Sequence, residues 1–222
     1  MKLTKAIIKK IELEAKTYFT DSSGCHDWSH VERVRKNALH IGKAKKADLS
    51  IVETAALLHD IARSEEIKKK GSFCHALEGA KRSVKILKKY DIDLSIIEQV
   101  SHAIEAHRKR NKCKPQTIEA KVLQDADLVD AIGAVGIGRN FLFAGNIGAK
   151  LYSGNEKKIV KAGKGHDYAY TQEDSAVLEY ELKLKHIYKM IQTKTGKKIA
   201  KERSDYQDNF FKRFWLEIEG KL

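Results

Sequence analysis

Apolar residues return along the chain with the 3.6-residue period of helices, and that period dominates throughout. Leu3, Ile7, Ile8, Ile11 and Ala15 mark one face of a first helix over about residues 3–20. Ser29-x-x-Glu32 reads as a capping box and opens a second helix through Val34, Ala38 and Ile41, with His30 in its first turn. Ser50-x-x-Glu53 opens a third, whose apolar run Ala55-Ala56-Leu57-Leu58 carries His59 and Asp60. His75 begins another through Ala80, Val84 and Leu87, and Ser95-x-x-Glu98 caps one at about 96–107. Arg63 to Gly71 reads as a charged connection and Arg108 to Pro115 as a basic loop. Thr117 to Ile132 reads as a buried helix, although Asp125, Asp127 and Asp130 lie in it. Further helices are expected over about 172–192 and 196–220.

Composition supports this pattern. A single proline in 222 residues argues against polyproline linkers and many-turned β architecture. Hydrophobic content of 42% with 33% charged residues is ordinary for a globular chain. The expectation is an all-α helical bundle forming one domain over residues 1–222. Gly133 to Gly165 departs from the pattern, because it holds eight of the 14 glycines. Gly133-x-x-Gly136-x-Gly138 follows a helix rather than a strand, so it is no dinucleotide fingerprint. The region reads as a mobile, partly helical excursion at about 133–170.

No apolar run approaches the roughly 20 residues that span a bilayer. Charge interrupts the apolar residues of the N-terminal stretch, which is therefore no secretory core. Cys25, Cys74 and Cys113 are odd in number and lack CxxC spacing, as expected of reduced thiols in a cytoplasmic protein. The formal charge of +13 has two readings. It attracts anionic substrates or nucleic acid, or it is a solvated lysine-rich surface. The mixing of lysine with glutamate at helical spacing favours the second reading. The lack of any RNP, KH or zinc-finger pattern disfavours nucleic-acid recognition.

Chemistry enters with His59 and Asp60. Burying an imidazole beside a carboxylate is costly unless they pair or bind a metal. With His30 and Asp127 they make an N/O donor set that suits Mn²⁺, Fe²⁺, Co²⁺, Ni²⁺ or Zn²⁺ better than Ca²⁺. Such ligands meet only in a folded bundle. The residues alone leave a second reading open, in which the histidines are satisfied core groups and Asp127 caps or pairs.

The pattern H…HD…D resembles the HD-domain metal-dependent phosphohydrolases. The blocks Cys25-His26-Asp27-Trp28-Ser29-His30-Val31-Glu32-Arg33-Val34, Ala55 to Ile61, Thr117 to Gly133 and Thr193-Lys194-Thr195-Gly196 are similar to the bacterial YedJ/YpgQ-type HD subfamily, from about residue 20 to the C-terminus. The resemblance implies an all-α fold with one divalent metal ion (Mn, Ni, Co, Fe or Zn, with Mg possible) in the helical core. Its ligands are then His30, His59, Asp60 and Asp127. It also implies hydrolysis of a nucleotide, with nucleoside triphosphate cut to monophosphate and pyrophosphate as the leading expectation. Alternatives are a monophosphatase or phosphodiesterase using the same site, and a non-catalytic metal- or nucleotide-binding module. Asp60 is expected to orient or deprotonate the attacking water, and His107 to touch phosphate or donate a proton. Arg63, Arg108, Lys109, Lys121 and His26 are the candidate substrate-binding residues, with Arg110 beside them.

Two departures stand out. Several relatives place a water-activating Glu three residues after the HD aspartate, where this chain has Arg63. Two-metal members carry a His-His pair in a later helix, where this chain has His107-Arg108. The expectation is therefore one ion rather than two, although His75 and His107 resemble, in order only, the extra histidines of two-metal members. A redox enzyme of this type would need two irons, and the lone His107 counts against it.

Overall fold

Regular structure in the computed structural model is helical, with one isolated bridge between Lys150 and Ser175 among the described residues. The structure describes residues 1–20, 24–69, 71–109, 112–163, 168, 171 and 173–222. Asp21 to Ser23, Arg110, Gly165 and His166 lie outside them. The chain divides into two compact units. The first contains Met1–Asp127 and Gln192–Gly196, and the second Leu128–Ile191 and Lys197–Leu222.

The first unit is built around α3 (Leu49–Leu58), against which α1 (Lys5–Lys16), α2 (Trp28–Lys45) and α6 (Leu94–Ala106) pack. Ile51, Val52, Thr54, Ala55, Ala56, Leu57 and Leu58 are all buried, so this helix has scarcely any solvent face. A helix apolar nearly all round must sit inside its neighbours. α5 (His75–Lys89) packs on α6 and on the short α4 (Arg63–Lys68). Gly79 explains one close approach: a Cβ there would lie 3.3 Å from the carbonyl oxygen of His59. Its missing side chain lets the first turns of α5 reach the end of α3.

The caps differ from the expected boxes. Asp27 caps α2, accepting from the backbone N–H groups of Ser29 and His30. Asp48 caps α3 in the same way, accepting from Ser50 and Ile51. In both cases the carboxylate two residues before the serine wins, and the serine hydroxyl donates to it, at 2.5 Å and 2.6 Å. Glu32 and Glu53 are left to Trp28 and Arg35. α3 also stops at Leu58, so His59 is its C-cap and Asp60 stands in the following turn rather than inside the helix. The charged connection from Arg63 contains α4.

α7 (Ile118–Asp130) is fixed in rotation by its own polar groups. Gln124 donates to the carbonyl of Ala106 at 2.8 Å. Asp125 accepts from the backbone N–H groups of Gln192 and Thr193 at 2.9 Å and 2.6 Å. Burial pushes the Asp125 carboxyl above its ordinary pKa. Asp125 is thus committed to these bonds, and Asp127 is free for other work.

In the second unit, α8 (Gly133–Asn146) occupies the glycine-rich region as a regular 14-residue helix. Gly136 is there for packing, since a Cβ would lie 2.4 Å from the carbonyl of Ala131. α9 (Glu156–Lys161), α10 (Ala176–Leu182) and α11 (Ile187–Met190) follow, and α12 (Lys194–Ile218) closes the chain. The helix expected over 172–192 is broken at Lys183, whose φ of −130° leaves the helical region. Leu184 and Ile187, just beyond the break, are buried. Tyr180 stacks on Phe211 at 3.8 Å in this unit's core, and its hydroxyl donates to Asp208 at 2.7 Å.

Candidate metal centre

Six residues from five places in the first unit converge. His30 lies in the first turn of α2, His59 caps α3 and Asp60 follows it. His75 opens α5, His107 caps α6 and Asp127 projects from α7. They form two triads. In one, the ligand atoms of His30, His59 and Asp127 lie within 4.8 Å of one another, and in the other so do those of Asp60, His75 and His107. Asp60 faces both. Its Oδ2 is 3.6 Å from His30 Nε2 and 3.8 Å from His59 Nε2. Its Oδ1 is 3.3 Å from His75 Nε2 and 3.8 Å from His107 Nε2.

Hydrogen bonds on the far side of the rings decide which nitrogens carry protons. His59 Nδ1 is 2.8 Å from the carbonyl of Ala56, and His107 Nδ1 is 2.6 Å from that of Ile104. A carbonyl only accepts, so both Nδ1 atoms carry a proton and each ring turns its Nε2 inward. His75 Nδ1 is 2.7 Å from Glu66 Oε2, which has the same effect. His75 Nε2 and His107 Nε2 face each other across 3.2 Å. His59 Nε2 and His30 Nε2 stand at the same separation. Such pairs repel unless a cation or a proton lies between them. The donor set and this convergence fit a divalent metal, with the carboxylate and carbonyls behind the rings acting as orienting partners.

The electrostatics agree. Burial raises the Asp60 carboxyl, but His59, His75 and His30 outweigh it and hold Asp60 well below the usual carboxylate range. Burial, with His75 and His59 as neighbours, pushes His107 down to about 4. Burial also raises Glu66, yet His75, Arg63 and Arg108 bring it to about 2.

The triads differ in access. The Asp127 side chain is 29% exposed, while those of Asp60, His75 and His107 are 5%, 7% and 2% exposed. The first triad therefore opens to solvent and the second is closed.

The other candidates are placed as follows. His26 is half-buried, its ring 5.8 Å from that of His30 and its Nδ1 3.0 Å from Cys25 Sγ. Arg63 and Arg108 each donate through Nη1 to Glu66. Lys109 is exposed and its charge acts on Asp125. Lys121 is half-buried on α7. His107, expected beside phosphate, instead turns its Nε2 to His75 and Asp60 within the closed triad. Asp130, which one helical turn placed beside Asp127, pairs with Arg139 at 2.8 Å. Sequence reasoning set His75 beside His107 only by their order along the chain and missed Glu66, and Glu65 goes to Arg82. No linear spacing marks His75 and Glu66, because they meet through the packing of α4 on α5.

The chain as a whole matches a known group. The sequence profile described as "HD domain" matches residues 27–132. YpgQ of Bacillus subtilis, described as an uncharacterized protein, is 33% identical over 96% of this chain and 94% of its own length. The crystal structure of YpgQ in complex with ADP superposes with a TM-score of 0.72 at 31% identity, over 96% of this chain and 98% of that one. An HD-superfamily hydrolase from Bacillus thuringiensis gives a TM-score of 0.70 at 26% identity, over 97% and 98%. The chain belongs to the HD-domain family of metal-dependent phosphohydrolases.

Proposed function

We propose that this chain hydrolyses nucleotides, cutting a nucleoside or deoxynucleoside triphosphate to monophosphate and pyrophosphate. The carrying observation is the convergence of His30, His59 and Asp60 with an Asp127 that solvent reaches. ADP in the related YpgQ supports a nucleotide as the ligand. His30, His59, Asp60 and Asp127 would hold a divalent ion, which would lower the pKa of a bound water and polarise a phosphoryl oxygen. Mn, Ni, Co, Fe and Zn suit this donor set, and Mg is also tested.

The chain's own groups supply the rest. Asp60 is ionised and nearly buried, so it accepts a hydrogen bond from the attacking water and holds it in line. The Nδ1 bond of His59 to Ala56 keeps the ring from turning. Arg63 and Arg108, expected to touch phosphate, are instead engaged with Glu66 behind His75. We place the protein in the cytoplasm because its three cysteines are odd in number and lack CxxC spacing, and no single helix among the described residues is long and apolar enough to cross a membrane.

In a second reading a further ion would be held by Asp60, His75 and His107, whose ligand atoms lie within 4.8 Å of one another. Metal analysis of the purified protein, followed by a nucleotide panel with product identification, tests both readings. Pyrophosphate with one or two equivalents of metal supports the reaction and counts the ions. Orthophosphate alone moves the reading to a monophosphatase, and a cut diester to a phosphodiesterase. Binding without product makes it a regulatory module. Dioxygen uptake by protein holding two irons would move it out of hydrolysis altogether.

A further inference from the structure

α4 buries its glutamate and not its isoleucine. Glu66 is the one buried residue of that helix, while Ile67 stays partly exposed. A carboxylate taken out of water needs strong partners. Glu66 has three, from three parts of the chain. Oε2 accepts from Arg63 of α4 and from Nδ1 of His75, the first residue of α5. Oε1 accepts from Arg108, the residue directly after His107. One side chain thus touches one histidine of the closed triad and the chain neighbour of the other.

We propose that Glu66 is the positioning residue of the closed triad. It keeps the proton on His75 Nδ1, so that the Nε2 lone pair faces Asp60 and His107, and it anchors Arg108 so that His107 stays opposite. Without an acceptor at Glu66, the His75 proton moves to Nε2, where Asp60 Oδ1 at 3.3 Å accepts it. The lone pair is then lost to any cation. Arg63 and Arg108 have a separate part, since they supply the positive charge that keeps a buried Glu66 ionised. This inference rests on the closed triad as a cation site.

The test separates the inference from that reading. Histidine tautomers are read by ¹⁵N NMR in metal-free protein at neutral pH, and metal uptake by titration calorimetry. In the wild type His75 is expected as the Nδ1–H form. Glu66→Ala shifts it to Nε2–H and weakens the closed triad's metal on the order of 10–100-fold, the usual cost of losing an orienting partner, while the open triad keeps its affinity. Glu66→Gln retains an acceptor oxygen and restores the Nδ1–H form. If Glu66→Ala does not fold, Glu66→Met fills the space without an acceptor and gives the same comparison. A wild-type tautomer in the Ala or Met variant overturns the proposal. If the wild type binds only one equivalent of metal, the two-ion reading fails, and the tautomer measurement still decides the part played by Glu66.

Discussion

The two triads are built alike and differ in access. Each has a histidine capping a helix, His59 on α3 and His107 on α6, with its Nδ1 tied to the carbonyl three residues back. Each sets two imidazole Nε2 atoms 3.2 Å apart. Yet Asp127 brings solvent to one, and the other is shut behind α4 and α5. Under the proposed function the difference would divide the labour: water and phosphate would meet the donors of the open triad, and the closed triad would orient the Asp60 between them. Closed sites of this kind serve structure, and open ones serve reaction.

The largest effect expected is from Asp60→Ala, which removes the one ligand common to both triads. Metal uptake and turnover should fall to background, and a variant that kept both would break the comparison. His59→Ala should abolish turnover while the closed triad still takes up metal, as elemental analysis would register. His75→Ala acts on the other side alone. It should remove metal from the closed triad and slow turnover on the order of 10–100-fold, with the open triad still loaded. Equal losses from His59→Ala and His75→Ala would mean that the triads do not divide the work.

Acid sharpens the contrast. His107 titrates at about 4 in the folded chain, below its ordinary 6.5, and Glu66 at about 2, below 4.5. In each window the unfolded chain binds more protons than the folded one, so stability rises with pH. The His107 contribution is complete above pH 6.5 and is lost as pH falls toward 4. The Glu66 contribution is complete above 4.5 and is lost toward 2. Thermal melts of metal-free protein should therefore weaken from neutral pH downward, and His107→Gln should flatten the fall between pH 6.5 and 4. The smallest effect expected is from Asp125→Asn, outside both triads. It weakens two backbone bonds and should cost about 1–3 kcal/mol in denaturant melts while leaving metal content unchanged.

The helical pattern made much of this legible beforehand. Leu3, Ile7, Ile8, Ile11 and Ala15 place a helix where α1 lies, although Ile7 is only half-buried in it. The apolar run before His59 identified the helix around which the first unit is built. The glycine-rich stretch reads as a partly helical excursion, and α8 lies in it, where the lack of a side chain at Gly136 lets the helix start hard against Ala131. The serine boxes misled, since an aspartate two residues earlier captured the same N–H groups.

Helix periodicity belongs to neighbouring residues, so the sequence by itself determined the all-α class and the burial of His59 and Asp60. The resemblance in its blocks added His30 and Asp127. Only the tertiary structure decided that His75 and Glu66 join them. Their meeting depends on α5 approaching the end of α3 across Gly79 and on α4 turning its carboxylate inward. Arg63 shows the same limit. Its position after Asp60 could be read along the chain, but the carboxylate it holds came from the next turn of a helix that the charge pattern had concealed.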